Sequence, residues 1–293
     1  MDRLEGKAAF ITGAASGIGF AMASVFARAG MRVVLADVEQ GRLDVAVGQL
    51  ADAGHEVAGV QVDVTDRAGV AQARDAALDA FGAVHLLCNN AGVNAAGPLF
   101  DVTYKDWDWV MGVNLWGVVH GVHEFLPHLM THGADAHIVN TASVGGLVGM
   151  RNLGIYNAAK FGVVGLTEAL RADMEACGVG VSVLCPGIVS TSLATSERNR
   201  PVHLTNADTA AEADAIPDPS AAASPEAEPS AGTDPMDLAE QVLAAVKANQ
   251  FFINTHPEFK PIVGQRHAAI EAAFAGEPDA AMVEAMTSLV RPF

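Results

Sequence analysis

The sequence GIYNAAKFG, residues 154–162, places a tyrosine and a lysine at a spacing that could support proton transfer. Tyr156 and Lys160 are four residues apart in a stretch typical of a helix, so their side chains share one helix face. A nearby ammonium group favours the phenolate and lowers the pKa of tyrosine from its usual ~10. Such a tyrosine can exchange a proton near neutral pH. The pair is also compatible with a solvated helix surface, where both residue types are common.

A glycine-rich stretch near the N-terminus has the residue types that bind a phosphate group. In TGAASGIG, residues 12–19, Gly13, Gly17 and Gly19 separate an apolar run from a helical pattern. Glycines permit the tight turn, and the first N–H groups of the following helix can approach a pyrophosphate. Asp37 ends the second apolar run, where an acid could accept the hydroxyls of an adenosine ribose. Asp37 could instead cap a turn or a helix.

These residues lie on an alternating series of short apolar runs and longer helical patterns. The predicted strands are Ala8–Thr12, Arg32–Ala36, Glu56–Val62, Val84–Cys88, His137–Thr141 and Gly180–Cys185. The predicted helices between them are Gly17–Ala29, Gln40–Ala53, Arg67–Phe81, Tyr104–Thr131 and Gly154–Ala176. Apolar strands joined by helices predict a parallel sheet covered on both faces. Right-handed crossovers then give an α/β fold with a doubly wound parallel sheet.

The pattern changes after Thr191. Residues 205–235 contain five prolines, seven acidic residues and no aromatic residue. Such a segment buries too little apolar surface to offset its ordering entropy, so we predict a long flexible insertion. The elements predicted beyond it are a helix at Met236–Ala248, a strand at Phe251–Asn254 and a helix from about Glu258 to Phe274.

The chain is interpreted as one domain, residues 1–293. Its parts are a cofactor-binding and catalytic core at 1–192, a lid with the insertion at 193–235, and a C-terminal segment at 236–293.

The composition limits the classes of protein. The 293 residues are 51% hydrophobic, which is sufficient for a large core, and the net charge is -17. This acidic balance disfavours nucleic acid and anionic membranes as partners. The N-terminus lacks a signal-peptide pattern, and no apolar run approaches the ~18 residues that span a bilayer. Three cysteines without a CxxC pair, and histidines without a metal motif, predict a reduced, metal-free protein of the cytoplasm.

Seven motifs occur in an order that resembles the short-chain dehydrogenases/reductases, nearly continuously over residues 4–192. They are TGxxxGxG at Thr12–Gly19, DV at Asp63–Val64, NNAG at Asn89–Gly92, a helix asparagine at Asn114, a serine at Ser143, YxxxK at Tyr156–Lys160 and PGIVST at Pro186–Thr191. The resemblance implies a single Rossmann-type domain and hydride transfer between a nicotinamide and an alcohol or ketone. Single motifs have structural explanations, since Asn114 could satisfy buried backbone and Ser143 could cap a turn.

The resemblance also implies catalytic roles. Tyr156 would be the general acid/base, and Lys160 would lower its pKa and bind the nicotinamide ribose. Ser143 would hold the substrate oxygen, as a donor placed where alkoxide charge develops. Asn114 would support a water chain that carries the proton to solvent.

The implied cofactor contacts follow the same motifs. They are Gly13, Ser16, Gly17, Ile18, Gly19, Asp37, Asp63, Val64, Asn90, Ala91, Gly92, Thr141, Tyr156, Lys160, Pro186, Gly187, Val189 and Thr191. NADP-preferring relatives carry a cation in the glycine loop or after the second strand, where this chain has Ala15–Ser16 and Asp37–Val38. Asp37 would accept the ribose hydroxyls and repel a 2'-phosphate. We therefore predict NAD as the cofactor.

The predicted substrate site is apolar. Its residues are Ser143, Val144, Met150 and Ile188, with Asn94, Gly145 and a lid that begins near Leu193. The stretch FDVTYKDWDWVMGVNLWGV and a late THPEF look like family members that act on bulky secondary alcohols, including aryl and lignin-derived ones. Steroid and acyl-chain alcohols remain alternatives.

Two other functions stay open at this point. One is an NADPH-type ketoacyl or carbonyl reductase, and the other is a non-catalytic NAD-sensing or scaffold protein. Asp37 disfavours the first, and the presence of both Tyr156 and Lys160 disfavours the second. The resemblance further implies a homotetramer, because the family buries the helices at Tyr104–Thr131 and Gly154–Ala176 against a two-fold mate. Trp107, Trp109 and Trp116 add apolar surface to the first of these helices.

Overall fold

The computed structural model describes residues 1, 3–206 and 232–287, and it confirms a doubly wound α/β fold. The strands of this part are β1 Ala8–Thr12, β2 Arg32–Asp37, β3 Val57–Gln61, β4 Leu86–Asn89, β5 His137–Thr141, β6 Gly180–Cys185 and β7 Phe252–Asn254. The α-helices are α1 Gly17–Arg28, α2 Gln40–Asp52, α3 Arg67–Phe81, α4 Tyr104–Met111, α5 Gly117–Met130, α6 Gly154–Asp173, α7 Pro235–Ala248, α8 Lys260–Glu271 and α9 Ala280–Thr287.

All the strands pair in parallel, in the order β3-β2-β1-β4-β5-β6-β7. The chain proceeds outward from β1 to β3 on one side and then crosses to β4 on the other. The loops that follow β1 and β4 therefore diverge, which leaves a crevice at the carboxyl end of the sheet. The predicted motifs lie at this carboxyl end.

Apolar side chains cover both faces of the sheet, since β1, β5 and β6 are buried at every position. One face packs against α1, α2 and α7, where Ile11 belongs to the same buried cluster as Phe26 and Val242. The other face packs against α3, α5 and α6, and there the Phe10 and Phe125 rings are 4.6 Å apart. The two layers fix the strand ends that carry the functional groups.

A cluster of histidines lies at the amino end of the sheet, opposite the motifs. The His85 ring centroid is 4.6 Å from that of His132, which is 4.7 Å from that of His128. His85 Nδ1 accepts a hydrogen bond from the Ala8 N–H at 3.2 Å. Burial, followed by the neighbouring positive charges of His132 and Lys7, lowers the pKa of His85 to about 4.

His137 begins β5 at the same end and is completely buried. Its Nε2 atom lies 2.8 Å from Ser182 Oγ, and that hydroxyl donates to the Gln250 carbonyl oxygen. Because Ser182 donates onward, the proton is on Nε2, and Nδ1 is left buried without a partner in the described structure. Burial lowers the pKa of His137 to about 3.

The predicted helices differ from the structure at several places, and the helix predicted from about Glu258 to Phe274 is shorter, at Lys260–Glu271. The helix predicted at Tyr104–Thr131 is interrupted by a π-helical turn at Gly112–Trp116, where the Gly117 N–H donates to the Gly112 carbonyl five residues earlier. The helix predicted to reach Ala176 ends at Asp173. Helix α9 was not predicted, because its residues show no apolar periodicity that packs on the body, and none is buried.

The predicted insertion at 205–235 falls mainly on residues 207–231, which lie outside the described residues. Its predicted ends were wrong. The Asn206 amide donates to a carboxylate of α4 at 3.0 Å, and Thr233 forms a β-bridge with the chain after β6. Asp234 caps α7 by accepting the Met236 N–H at 2.8 Å. Polar side chains thus order both ends, although composition alone indicated a uniform segment.

Cys88, Cys177 and Cys185 are free thiols, as predicted. Among the helices of the described residues, none combines the length and the apolar character needed to cross a bilayer.

Candidate active site

The glycine loop between β1 and α1 forms a narrow turn at the start of a helix. Gly13 and Gly17 have φ angles of +65° and +55°, which residues with side chains rarely adopt. A methyl group at Gly13 would lie 2.9 Å from the Ala91 Cα atom, so the loop packs closely on the chain after β4. The Ser16 side chain is at the N-cap and makes no cap bond within the described residues. The first N–H groups of α1, which Gly17, Ile18 and Gly19 carry, therefore form a cradle that fits a pyrophosphate.

Asp37 ends β2 and faces this loop. Its carboxylate oxygens accept hydrogen bonds from the Ala15 and Glu39 N–H groups, each at 3.0 Å. Glu39 also forms ion pairs with Arg42 at 3.2 Å and with Arg198 at 2.7 Å. Sequence reasoning missed both guanidinium groups. Folding brings Arg198 from a distant segment, whereas Arg42 is only three residues from Glu39 and was an available signal.

Thr12 connects the chain after β4 to the end of β1. Its Oγ1 atom accepts the N–H groups of Asn90 at 2.9 Å and Ala91 at 3.0 Å. The Asn90 side chain donates back to the Thr12 carbonyl at 3.0 Å and accepts from Thr141 Oγ1 at 3.4 Å. The ends of β1, β4 and β5 are thereby held together beside the glycine loop. The predicted cofactor-contact residues on these strand ends therefore lie along one edge of the sheet.

Asp63 and Val64 follow β3. Asp63 Oδ1 accepts both the N–H and the hydroxyl of Thr65 at 2.8 Å, so the carboxylate closes a local turn. Val64 is 7% exposed, and a methyl group at Gly117 would contact its side chain. The fold places this pair at the edge of the crevice, on the β3 side.

The proposed catalytic side chains converge from β5 and α6. Tyr156, Ser143 and Lys160 are 9%, 5% and 3% exposed. The Ser143 hydroxyl lies near the Tyr156 hydroxyl and favours its phenolate form, which lowers the pKa of Tyr156. Lys160 Nζ donates to the Thr141 carbonyl at 2.9 Å and lies 5.6 Å from the centre of the Tyr156 ring. The helix spacing and the strand end thus bring a phenol, a hydroxyl and an ammonium group together.

The net shift in the pKa of Tyr156 is opposite to the predicted one. Burial raises the pKa of Tyr156, and the Ser143 hydrogen bond opposes this effect only in part. Burial also lowers the pKa of Lys160 to about 8. The cause is the same for both residues, since the charged form of a buried side chain loses hydration.

Asn114 lies in the π-helical turn and is completely buried. Its Oδ1 accepts the Val93 N–H and its Nδ2 donates to the Val93 carbonyl, both at 2.8 Å. A methyl group at Gly92 would lie 3.5 Å from Asn114 Oδ1 and 3.9 Å from Lys160 Nζ. Asn114 therefore fixes the chain after NNAG next to Lys160, and its predicted water chain stays a prediction.

The loop Pro186–Thr191 closes the other side of the site. The Pro186 carbonyl accepts the Val144 N–H at 2.9 Å and the Ser143 hydroxyl at 3.3 Å. Thr191 packs beside Gly17, since a methyl group there would lie 3.1 Å from Thr191 Cγ2. The loop therefore reaches from Ser143 to the glycine loop, and the predicted cofactor contacts Pro186, Gly187, Val189 and Thr191 lie along it.

The predicted substrate residues are placed around the mouth of the site. Val144 is 5% exposed and lies behind Ser143, whereas Ile188 is 65% exposed at the rim. The Met150 N–H donates to Asn157 Oδ1 at 2.9 Å, and Asn157 Nδ2 donates to the Gly145 carbonyl at 2.7 Å. Asn157 was missed, although a polar residue beside Tyr156 on a buried helix face was an available signal.

A segment at residues 192–206, here called the lid, covers the crevice as 3-10 turns at Ser192–Asn199 and Val202–Leu204. Ser196 Oγ accepts the Asn94 N–H at 3.0 Å. Arg200 forms a 2.9 Å ion pair with Asp106 on α4 and lies 4.2 Å from the centre of the Trp109 ring. These contacts were not predicted, because short irregular turns have no periodicity.

Comparisons with known proteins agree with this geometry. A family model described as short chain dehydrogenase matches residues 7–201. The C alpha-dehydrogenase of Sphingobium sp. strain SYK-6 is 36% identical over 271 residues, which are 92% of this chain and 87% of that protein. A 1-deoxy-11-beta-hydroxypentalenate dehydrogenase of Streptomyces exfoliatus is 40% identical over 192 residues, which are 65% and 70% of the two chains. The crystal structure of a short chain dehydrogenase/reductase from Burkholderia phymatum in complex with NAD matches with a TM-score of 0.85 at 43% identity, covering 96% of this chain and 100% of that chain.

Proposed function

The chain belongs to the short-chain dehydrogenase/reductase family, whose members oxidise alcohols or reduce carbonyl groups with a nicotinamide cofactor, and we propose that this member interconverts bulky, apolar secondary alcohols and ketones with NAD. The convergence of Tyr156, Ser143 and Lys160 at the carboxyl end of the sheet carries the proposal. The three side chains supply a proton acceptor, an oxygen-binding hydroxyl and a cation in one buried place.

Each side chain has a defined task in the proposed reaction. The bound nicotinamide would supply the hydride acceptor. Ser143 donates a hydrogen bond to the substrate oxygen, and Tyr156 removes the hydroxyl proton as general base. The ammonium group of Lys160 offsets the cost of forming a buried phenolate. Asn114 keeps the chain after β4 beside Lys160 through its two bonds to Val93.

The preference for NAD rests on Asp37. A carboxylate at the end of β2, held by two backbone N–H groups at 3.0 Å, suits ribose hydroxyls and repels a phosphate. The matching Burkholderia structure contains NAD, which supports the same choice. The cofactor-contact residues proposed from the sequence are retained.

The substrate proposal rests on the apolar rim. Ile188, Leu99 and Phe100 are 65%, 61% and 87% exposed around the crevice, and Met150 lies at its side. An apolar rim favours a bulky, uncharged alcohol. Two relatives are named as dehydrogenases of complex alcohols, a C alpha-dehydrogenase and a hydroxypentalenate dehydrogenase.

One observation favours an NADP-dependent carbonyl reductase as the second candidate. Arg42 and Arg198 both contact Glu39, two residues after Asp37, and a 2'-phosphate could recruit either guanidinium group. Both arginines are already paired with Glu39, so we rank NAD first.

The test is a panel of secondary alcohols, aryl, steroid and acyl-chain, assayed with NAD and with NADP by the absorbance of the reduced nicotinamide. We expect turnover of bulky alcohols with a higher kcat/KM for NAD. A higher value for NADP would favour the reductase. Binding of NAD without turnover of any alcohol would favour a sensor or scaffold.

We also propose a cytoplasmic homotetramer. Trp109 packs within its own chain and does not support this assembly, because it is 2% exposed, but Trp116 is 54% exposed. Helices α8 and α9 bury none of their residues, and Phe274 between them is 81% exposed. Apolar surface of this kind is typical of a subunit interface. Light scattering that shows a monomer at micromolar concentration would contradict the assembly.

A further inference from the structure

We propose that His256, in the THPEF stretch after β7, is a positioning residue that sets the loop Pro186–Thr191 for the nicotinamide half of the cofactor. The inference rests on the proposed role of that loop in cofactor binding. His256 lies outside the family model match at residues 7–201, and the proposed catalytic groups do not include it.

The imidazole binds the loop through both nitrogens. His256 Nδ1 accepts the Gly187 N–H at 3.0 Å, and Nε2 lies 2.9 Å from the Ile188 carbonyl oxygen. Accepting from an amide requires a bare Nδ1, so the proton is on Nε2 and is donated to Ile188. The neutral Nε2–H tautomer thus satisfies a donor and an acceptor on neighbouring residues of the loop.

The ring also packs against the loop backbone. A methyl group at Gly187 would lie 2.7 Å from His256 Cγ, so the glycine is required for this approach. Nε2 is also 3.0 Å from Thr233 Oγ1, and Thr233 pairs with the loop through its backbone N–H and carbonyl groups. His256 therefore joins β7, the loop and the start of the α7 segment.

The position of the loop predicts a selective effect. The Pro186 carbonyl contacts Ser143 beside the reacting groups, whereas the proposed adenosine contact, Asp37, is on the other side of the glycine loop. Loss of the imidazole should therefore weaken binding of the nicotinamide half and leave the adenosine half unaffected.

The experiment compares NADH with ADP-ribose, which lacks the nicotinamide, in binding titrations of the full-length protein. For His256→Ala we expect the Kd for NADH to rise by roughly tenfold, the loss of about 1.4 kcal/mol, with the Kd for ADP-ribose within twofold of wild type. His256→Asn keeps an acceptor near the Nδ1 position and should recover most of the NADH affinity. His256→Gln lacks that acceptor and should resemble His256→Ala, which keeps the test valid if the alanine variant does not fold.

His55→Ala is the matched control, because His55 lies in the turn between α2 and β3, away from the loop Pro186–Thr191. It should bind both ligands as wild type does. Unchanged NADH affinity in His256→Gln, or equal weakening of NADH and ADP-ribose, would overturn the role of His256 while leaving the proposed function in place. A wild-type protein that binds neither ligand would overturn the proposed function, and the role of His256 with it.

Discussion

The two ends of the sheet both contain buried titratable groups with displaced pKa values, but we propose a reactive site at only one of them. At the carboxyl end, burial raises the pKa of Tyr156 and lowers that of Lys160 to about 8. At the amino end, burial lowers the pKa of His85 to about 4 and that of His137 to about 3. The pKa shifts of the two histidines are at least as large as that of Lys160.

The two ends of the sheet differ in what surrounds their buried titratable side chains. His137 is closed off by Ser182 and Gln250, which are parts of the same protein core. Tyr156 lies beside a crevice formed by diverging loops, with a glycine loop and a lid around it. A displaced pKa therefore reports burial, and only a crevice lined by complementary groups turns burial into function.

The strongest test of this comparison removes the reacting group. Tyr156→Phe keeps the ring but removes the proton acceptor, so kcat for alcohol oxidation should fall by roughly 10²–10⁴-fold, the usual range for a general acid/base. NADH affinity and the thermal midpoint should change little. Steady-state rates and NADH titration give the measurement.

Tyr104→Phe is the matched control, since Tyr104 is the other tyrosine of the chain and is 89% exposed. It should keep wild-type activity. A Tyr156→Phe enzyme that retains most of its activity would contradict the proposal that the carboxyl end of the sheet is the reactive one.

A second test asks whether the lid belongs to the functional end. Arg200 and Asp106 form a 2.9 Å ion pair whose side chains are 4% and 9% exposed. Breaking a buried pair by removing one partner costs about 3–5 kcal/mol, and we expect the lower limit because Asp106 keeps its bond to the Thr103 N–H. Arg200→Met should lower the free energy of unfolding and also kcat/KM for bulky alcohols.

Urea denaturation and steady-state kinetics measure both effects. Arg151→Met, at an exposed position, is the control. Asp106→Asn combined with Arg200→Met should cost less than the sum of the single variants, as coupled partners do. Additive losses would show that the two side chains act separately.

The third test concerns the cofactor edge. Asp37→Ala with Val38→Arg removes a carboxylate and adds a guanidinium group, so preference should move from NAD toward NADP by ~1–3 kcal/mol. The ratio of kcat/KM for the two cofactors measures this shift. Asp44→Ala, on the exposed side of α2, should leave the ratio unchanged. A wild-type preference for NADP would contradict our interpretation of Asp37.

The last test lies at the amino end and concerns stability alone. The pKa of His137 is about 3 in the folded protein and near the ordinary value of 6.5 when unfolded. Its neutral form therefore stabilises the fold fully above pH 6.5, and this contribution is lost as the pH falls toward 3. At 1.36 kcal/mol per pH unit, the free energy of unfolding should fall by about 2 kcal/mol from pH 6.5 to pH 5 on account of this group.

His137→Asn cannot titrate, so its unfolding free energy should depend on pH less steeply by that amount, whatever its stability at neutral pH. Urea denaturation at pH 7 and pH 5 measures the slope. The control is His123→Asn, on the exposed face of α5, which should keep the wild-type slope. An unchanged slope in His137→Asn would contradict the lowered pKa of His137. A loss of activity per folded molecule would show that the amino end also affects the reaction, which would contradict the comparison of the two ends.

Sequence patterns were sufficient for the sheet and for the convergence of the motif residues. The bounds of β1, β5 and β6 agree with the prediction, because short runs with apolar residues at their centre are typical of strands that are buried on both faces. The spacing of Tyr156 and Lys160 correctly placed both side chains on one face of a helix, which the structure shows to be buried, because an α-helix repeats every ~3.6 residues.

The remaining features depend on contacts between distant, irregular segments. Arg198 meets Glu39 across 159 residues, and His256 meets Gly187 across 69 residues. Neither pair has a periodicity or a local motif. The direction of the Tyr156 pKa shift was wrong because a sequence shows which charges are near but does not show how deeply the phenol is buried.

The π-helical turn at Gly112–Trp116 fixes how far α5 is rotated about the helix axis relative to α4. Because each residue of an α-helix advances by ~100°, the one extra residue in the turn offsets α5 from α4 by about that angle. Trp109 can then pack under the lid, while Asn114 points to the chain after β4. A single-residue deletion in this turn would restore a regular helix and rotate one of these side chains out of register, so chain length here is as constrained as residue type.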